Sequence, residues 1–485
     1  MGRYDRHPRS RRRLASAITS AALVVAGGAV VPLLTAGTAT AAPTAATWSA
    51  ATALTGTDVD ASVLDVVTAA DGSAVTLWNQ FAGPNSNERK LYAAVRPADS
   101  DTWGAPALLA TTPTEAGSAK LHASADGTVT ALWVEFPNET APGSGSQDIR
   151  LRSAVLAADG TSWSAPVDVV AAGQGWTDGG IDLAEAPDGT LTAAWGTRAT
   201  ASSKTEVSTA TRGTDGTWSA PVRVSTATAD RASSATDPSV AVTSDGTAVI
   251  AYKQTAGETS TLRTVSKPAS TAAWSAPATA TDAYMSLTTP ELSAADDGSL
   301  VLAYSARVGE SDPRTIHTAT RSAGGSWSAA DTVSTTDSLV ETPEPLIAPD
   351  GDVTLVWVDW TKTFATRTAT RDAADGAWSD VRTLSTAYVP EQYDAAIGAD
   401  GTVHALWTES VGDDEGRVLK ESALTDGAWT SPAQLPGSAD AFVHGAIDAG
   451  DDGTATAVWS RTDSADVTQL YASRSDPSAL DGATG

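Results

Sequence analysis

The chain has 485 residues, 41% of them hydrophobic, no cysteine and a formal net charge of −27. That length suits one large domain or two to three ordinary ones, and the missing cysteine excludes disulfides, Cys-ligated zinc, iron–sulfur clusters and a thiol nucleophile. The acidity argues against a nucleic-acid binder or an anionic-membrane binder, which need a basic face.

Residues 1–41 read as an export signal. Arg3, Arg6, Arg9 and Arg11-Arg12-Arg13 form a basic start, an apolar stretch runs from Leu14 to Leu34, and Ala39-Thr40-Ala41 has the small-x-small pattern of a cleavage site. Pro32 and several Ser, Thr and Gly interrupt the apolar stretch, which favours cleavage after Ala41 over a membrane anchor. Ser10-Arg11-Arg12-Arg13-Leu14 loosely resembles a twin-arginine signal, so that route and Sec both stay open. The expected product is secreted, extracellular and monomeric, with no membrane association after cleavage.

Two motifs then alternate along the chain. The first is Asp-Gly, five residues and an aromatic, from Asp71-Gly72…Trp78 through Asp126…Trp133, Asp188…Trp195, Asp245…Tyr252, Asp297…Tyr304, Asp350…Trp357 and Asp400…Trp407 to Asp452…Trp459. The second is Trp-Ser-Ala-Pro or a near relative, at Trp48, Trp103, Trp163, Trp218, Trp274, Trp327, Trp378 and Trp429. Together they hold all but Trp176 and Trp360 of the 16 Trp, which accounts for the excess of Trp over four Phe and two Met.

Each unit reads as four antiparallel strands. In the second unit, Leu121–Ala125 is expected to pair with Gly127–Trp133 across a type I′ Asp-Gly turn. Ile149–Ala157 and Trp163–Val169 follow as the third and fourth strands. No 3.6-residue apolar stripe appears, so no helix is expected. The last unit lacks its Trp-Ser-Ala-Pro strand, while Trp48-Ser49-Ala50-Ala51 precedes the first unit with no blade of its own. Pairing the two closes a ring and removes both exposed sheet edges, whereas a solenoid needs capping units. The expected fold is all-β: a single eight-bladed β-propeller of four-stranded antiparallel blades over 42–475, closed by the N-terminal strand. Seven blades is the alternative if two irregular units merge. A disordered tail is expected over 476–485.

Alternation of the connections sorts the loops. Asp-Gly turns share one face; the variable connections share the other, where ligands are expected. The ligand-binding candidates are Phe81, Glu135, Trp176, Asp182, Arg198, Arg307, Glu344, Asp359, Trp360, Tyr393, Glu409 and His444. The repeat Trp residues are expected in inter-blade packing. Arg198, Arg307 and Arg461 are expected to pair with the acid surplus. No catalytic residue is assigned. The His residues lack HxH or HExxH spacing, so no metal site or cofactor is expected, although an axial calcium held by inward acids stays open.

Stretches such as Arg212-Gly213-Thr214-Asp215-Gly216-Thr217-Trp218 and Arg371-Asp372-Ala373-Ala374-Asp375-Gly376-Ala377-Trp378 look like degenerate Asp boxes, and the unit resembles the repeats of sialidase-like (BNR, or Asp-box) propellers. The resemblance implies a propeller. In that family an arginine triad, an Arg-Ile-Pro motif, an Asp acid/base and a Tyr/Glu pair act on the substrate, but Arg-Ile-Pro is absent and no catalytic residue carries over. The expected function is a secreted, non-catalytic propeller that binds a glycan or surface ligand. The alternatives are a divergent sialidase-like exo-glycosidase or other glycan-active enzyme, and a protein-interaction scaffold.

Overall fold

The computed structural model describes residues 45–476, apart from 82–88, 99, 113–115, 136–149, 172–175, 199–203, 226–232, 337–339, 341, 361–363, 389–392, 412–415, 440–443 and 463–466. The expected export signal and nearly all of the expected tail lie outside those residues. The described chain contains strands and no helix, arranged as eight antiparallel sheets. Blade 1 runs outward from the axis through Asp60–Thr68, Ala74–Phe81, Arg89–Arg96 and Ala107–Thr112. Blades 2 to 7 repeat this order, and the first strands of successive blades contact one another around the ring. The fold is therefore an eight-bladed β-propeller.

The turn between first and second strands differs from the expected type I′. In Ala69-Ala70-Asp71-Gly72-Ser73, the Gly72 N–H donates to Ala69 O at 2.8 Å and Ala69 N–H to Ser73 O at 2.8 Å. Only the glycine is left-handed, with φ 82°. This is a type I turn followed by a glycine bulge. The aspartate is retained for its side chain: Asp71 Oδ1 accepts the Ser73 N–H at 2.8 Å, and Asp126 accepts that of Thr128 at 2.9 Å. A true two-residue turn does occur at Asp426-Gly427, where both φ values are positive, 49° and 73°.

The repeat tryptophans pack between blades. Trp133 and Trp163 of blade 2 lie against Leu77, Leu91 and Leu109 of blade 1, and Trp195 and Trp218 of blade 3 lie against Leu132 and Leu151 of blade 2. Eight such clusters fill eight interfaces, with Tyr252 and Tyr304 replacing Trp in blades 4 and 5. Removing one indole leaves a cavity that a two-sided interface cannot collapse to fill. Trp133→Ala should cost about 3–5 kcal/mol, read as a lower denaturant midpoint at unchanged slope.

Ring closure follows the expected exchange. Blade 8 takes His444–Ala449, Ala455–Thr462 and Thr468–Asp476, and Thr47–Trp48 and Thr52–Ala53 supply its outer edge. Trp48 pairs with Ser475, and Ala53 with Tyr471. The Trp48 indole N–H also reaches Glu421 Oε2 of blade 7 at 3.3 Å. Glu421 Oε1 faces His404 Nδ1 at 2.8 Å, and His404 Nε2 faces the Gly453 carbonyl of blade 8 at 3.0 Å. Both imidazole nitrogens meet acceptors, so the ring must donate twice and carry a charge. Burial opposes that charge, but Glu421 and the Gly453 carbonyl outweigh it and hold His404 above its ordinary 6.5. The stability gained is complete below that ordinary value and is lost as pH rises through the raised one. Glu421→Gln should therefore lower stability most near pH 6, by roughly 3–5 kcal/mol, and much less at pH 9, as read from urea midpoints.

Candidate functional site

The ionisable groups converge on the central channel. The residue six positions before each repeat Asp-Gly aspartate lies on a first strand: Asp65, Lys120, Asp182, Ser239, Glu291, Glu344, Asp394 and Ala446. Each stands opposite the residue just before the repeat aromatic, as Asp65 does to Leu77 and Asp182 to Ala194. In blades 1 to 4 the first strand carries a bulge just before this residue, which re-aims the side chains beyond it. Asp448 lies two residues beyond Ala446 on the same strand.

These acids tie each blade to the next. Asp65 accepts the Leu121 N–H at 2.7 Å, Asp182 that of Val240 at 2.7 Å, and Asp394 that of Ile447 at 2.9 Å. The Ser239 hydroxyl accepts from Leu292 N–H at 3.0 Å, and Asp448 closes the ring on Thr68 N–H at 2.5 Å. Glu344 lies near the N–H of Ala395, which donates to Asp394 Oδ1 at 3.1 Å. Two steps break the pattern. Lys120 cannot accept a hydrogen bond, and the residue facing Glu291 across the next interface is Pro345, which has no N–H to give.

Protein surrounds these groups, yet the acids keep intermediate exposure and Lys120 is exposed, so the channel holds water-sized space rather than a dry core. Burial first, then the neighbouring charge of Asp182, pushes Glu291 up to about 7. Burial likewise carries Asp448 to about 7 and Asp394 to about 6. Glu344 is raised by burial and by Asp394; Asp65 and Asp182 are raised by burial against the pull of Lys120. Asp65 in turn holds the Lys120 ammonium firmly protonated. Among the described residues, no group of three or more His, Asp or Glu is arranged to hold a metal ion.

A carboxyl whose proton is held more tightly in the fold stabilises fully below its ordinary value, and that contribution is lost as pH rises through the raised one. Glu291→Gln and Asp448→Asn should therefore leave the melting temperature near wild type at pH 4 and raise it at pH 8. Equal effects at both pH values would contradict the placement of these charges.

Asp182 and Glu344 thus lie on channel strands, not on the variable loops where their sequence positions suggested. Glu135, Asp359 and Glu409, at the ends of second strands, are held by a cation one strand over. Arg152 reaches Glu135 at 3.2 Å, Arg367 reaches Asp359 at 3.1 Å, and Lys420 reaches Glu409 at 2.7 Å. Glu409 also accepts from the Trp407 indole at 2.9 Å and from the Thr386 hydroxyl at 2.6 Å. The Arg89 guanidinium covers the Phe81 ring at 4.5 Å. The Tyr393 hydroxyl donates to the Thr342 carbonyl. Arg198 and Trp176 pair through their backbones, as do His444 and Ser460, and the side chains of Trp176 and His444 lie outside the described residues.

Among the described residues, two of the arginines expected to pair with acids have other neighbours. Arg461 lies over the Tyr471 ring at 4.5 Å and donates to Gly437 O at 3.0 Å. Arg307 lies near Arg314, whose proton affinity is lowered by burial and then by that like charge. Trp360 packs on Phe364 at 5.3 Å, and Phe364 on Tyr388 at 4.7 Å, at the edge of the blade 6–7 interface. On the opposite face a depression of about 570 Å³ is lined by Asp350, Asp400, Asp426 and Asp452. Asp350, Asp400 and Asp452 each cap a turn N–H there.

Sequence reading missed Asp65 and Lys120 as site residues, although their constant offset from the repeat aspartate was available to find them.

The sequence matches no protein-family model and no curated protein. The fold is similar to that of an ulvan lyase, a polysaccharide lyase, with a TM-score of 0.50 at 12% identity over 89% of this chain and 99% of that one. A leech intramolecular trans-sialidase aligns with a TM-score of 0.41 at 10% identity over 91% and 95% of the two chains. At 12% identity the likeness to the lyase is one of fold alone.

Proposed function

We propose that the protein is a secreted, non-catalytic β-propeller that binds a glycan through its loop-bearing face. The observation that carries this reading is the state of the carboxylates there. Glu135, Asp359 and Glu409 are each neutralised by a cation within their own blade. A general acid or base needs an edge open for proton exchange with substrate. A binding face needs only fixed donors, acceptors and apolar surface, which these pairs supply. Likeness to a lyase that acts on a polysaccharide adds support at the level of fold. Secretion rests on the character of residues 1–41.

One observation favours a second reading, a glycan-active enzyme. Among the described residues, Glu291 faces Pro345 where Asp182 and Asp394 each meet a cross-blade N–H; it meets the Ser239 hydroxyl at 3.4 Å and holds its proton to about 7 in the channel. Incubation with a polysaccharide panel separates the two. Retention without new reducing ends or unsaturated products supports binding. Turnover that Glu291→Gln abolishes overturns it in favour of the enzyme. Secreted protein should begin at Ala42.

A further inference from the structure

We propose that Trp360, Phe364 and Tyr388 form a stacking platform for an uncharged pyranose ring of a polysaccharide. The proposal rests on the glycan-binding reading above and assigns it a place and a ligand class. Trp360 and Phe364 flank the connection between the second and third strands of blade 6, and Tyr388 lies on the connection from blade 6 to blade 7. All three therefore stand on the loop-bearing face.

Their rings meet in sequence, 5.3 Å apart at 46° and then 4.7 Å apart at 49°. Tyr388 leaves 44% of its surface open and Val411 50%, while Trp360 and Phe364 are half-buried against the blade 6–7 core. Phe364 holds φ at 39°, a left-handed backbone that a bulky side chain rarely adopts. Strain of that kind persists only where the surroundings enforce it, and it gathers at ligand clamps. Here it places the Phe364 ring between the other two. The Ser410 N–H donates to the Tyr388 carbonyl at 2.8 Å, which ties the Tyr388 backbone to the second strand of blade 7.

The surroundings choose the occupant. An aromatic face takes the apolar C–H face of a sugar, and the sugar rim needs hydrogen-bonding groups. Lys420 Nζ and the hydroxyl of Thr386, 3.1 Å apart, stand next to the platform with Glu409. Among the described residues the nearby charges are paired, Asp359 with Arg367 and Glu409 with Lys420. The chain's net charge of −27 repels a polyanion. Three rings and one valine are too few for a stable protein interface, which buries about 800 Å² on each partner.

Affinity electrophoresis through gels containing starch, laminarin or galactomannan, with pectate and alginate as anionic comparators, tests the assignment. The expected result is retardation by a neutral polymer that Tyr388→Ala weakens about tenfold and Tyr388→Phe preserves, at unchanged melting temperature. Leu108→Ser, on the outer rim of blade 1, should bind as wild type does. Tyr388→Ala binding as well as wild type overturns the platform and leaves glycan binding standing. Retardation by the anionic polymers alone overturns the ligand class. No retardation of wild type by any polymer overturns the glycan-binding reading itself, and the platform with it.

Discussion

A four-stranded sheet presents two apolar faces, and in this protein each face is covered only by the next blade. Every interface sets a pair of aromatic residues from one blade into the preceding sheet. Such a stack is satisfied everywhere except at its ends, so the eighth sheet has to meet the first. The cluster uniting Trp78 and Ala94 of blade 1 with Val458 and Leu470 of blade 8 completes the apolar circuit. The strand exchange around Trp48 completes the hydrogen-bonded one. Channel, faces and platform exist because both circuits close.

The inner wall solves a second problem. First strands converge on the axis, too far apart to pair with one another but close enough for a side chain to span the gap. A short carboxylate at one register reaches the backbone N–H of the neighbouring strand, and the same solution recurs around the ring. Burial along the axis, and then the neighbouring acids, raise the proton affinity of these carboxyls, and Lys120 is the single cation at that register. The ring is thus cohesive through hydrogen bonds and self-repelling through charge. Asp and Glu serve as acceptors there whether or not every one is ionised.

The architecture was legible because it is written in repeated residues. The Asp-Gly and Trp motifs fix strand order, blade number and the exchange between the termini, and each reads from sequence alone. The turn type was not legible, because Asp-Gly suits both a type I′ turn and a type I turn with a glycine bulge. The choice depends on how many residues the strands leave between them. The candidate site was legible only in part. Asp182 and Glu344 were recognised as functional in character but assigned to loops, since a bulge or a short strand shifts the register there. The cations that neutralise Glu135, Asp359 and Glu409 come from the third strand, and cross-strand pairing appears only once register is known. The meeting of Phe364 with Tyr388 joins residues on two different connections, which no local pattern reveals.

Because Thr47 lies directly opposite Asp476, the polypeptide begins and finishes its propeller at the same spot on the rim. The seam is a matter of where the backbone is cut and not of how the blades pack. Joining the two ends by a short peptide and severing the chain at another hairpin, such as Asp245-Gly246, would yield a circular permutant with the same eight contacts and a different break. The location of the seam is thus free to drift in evolution while the scaffold stays as it is.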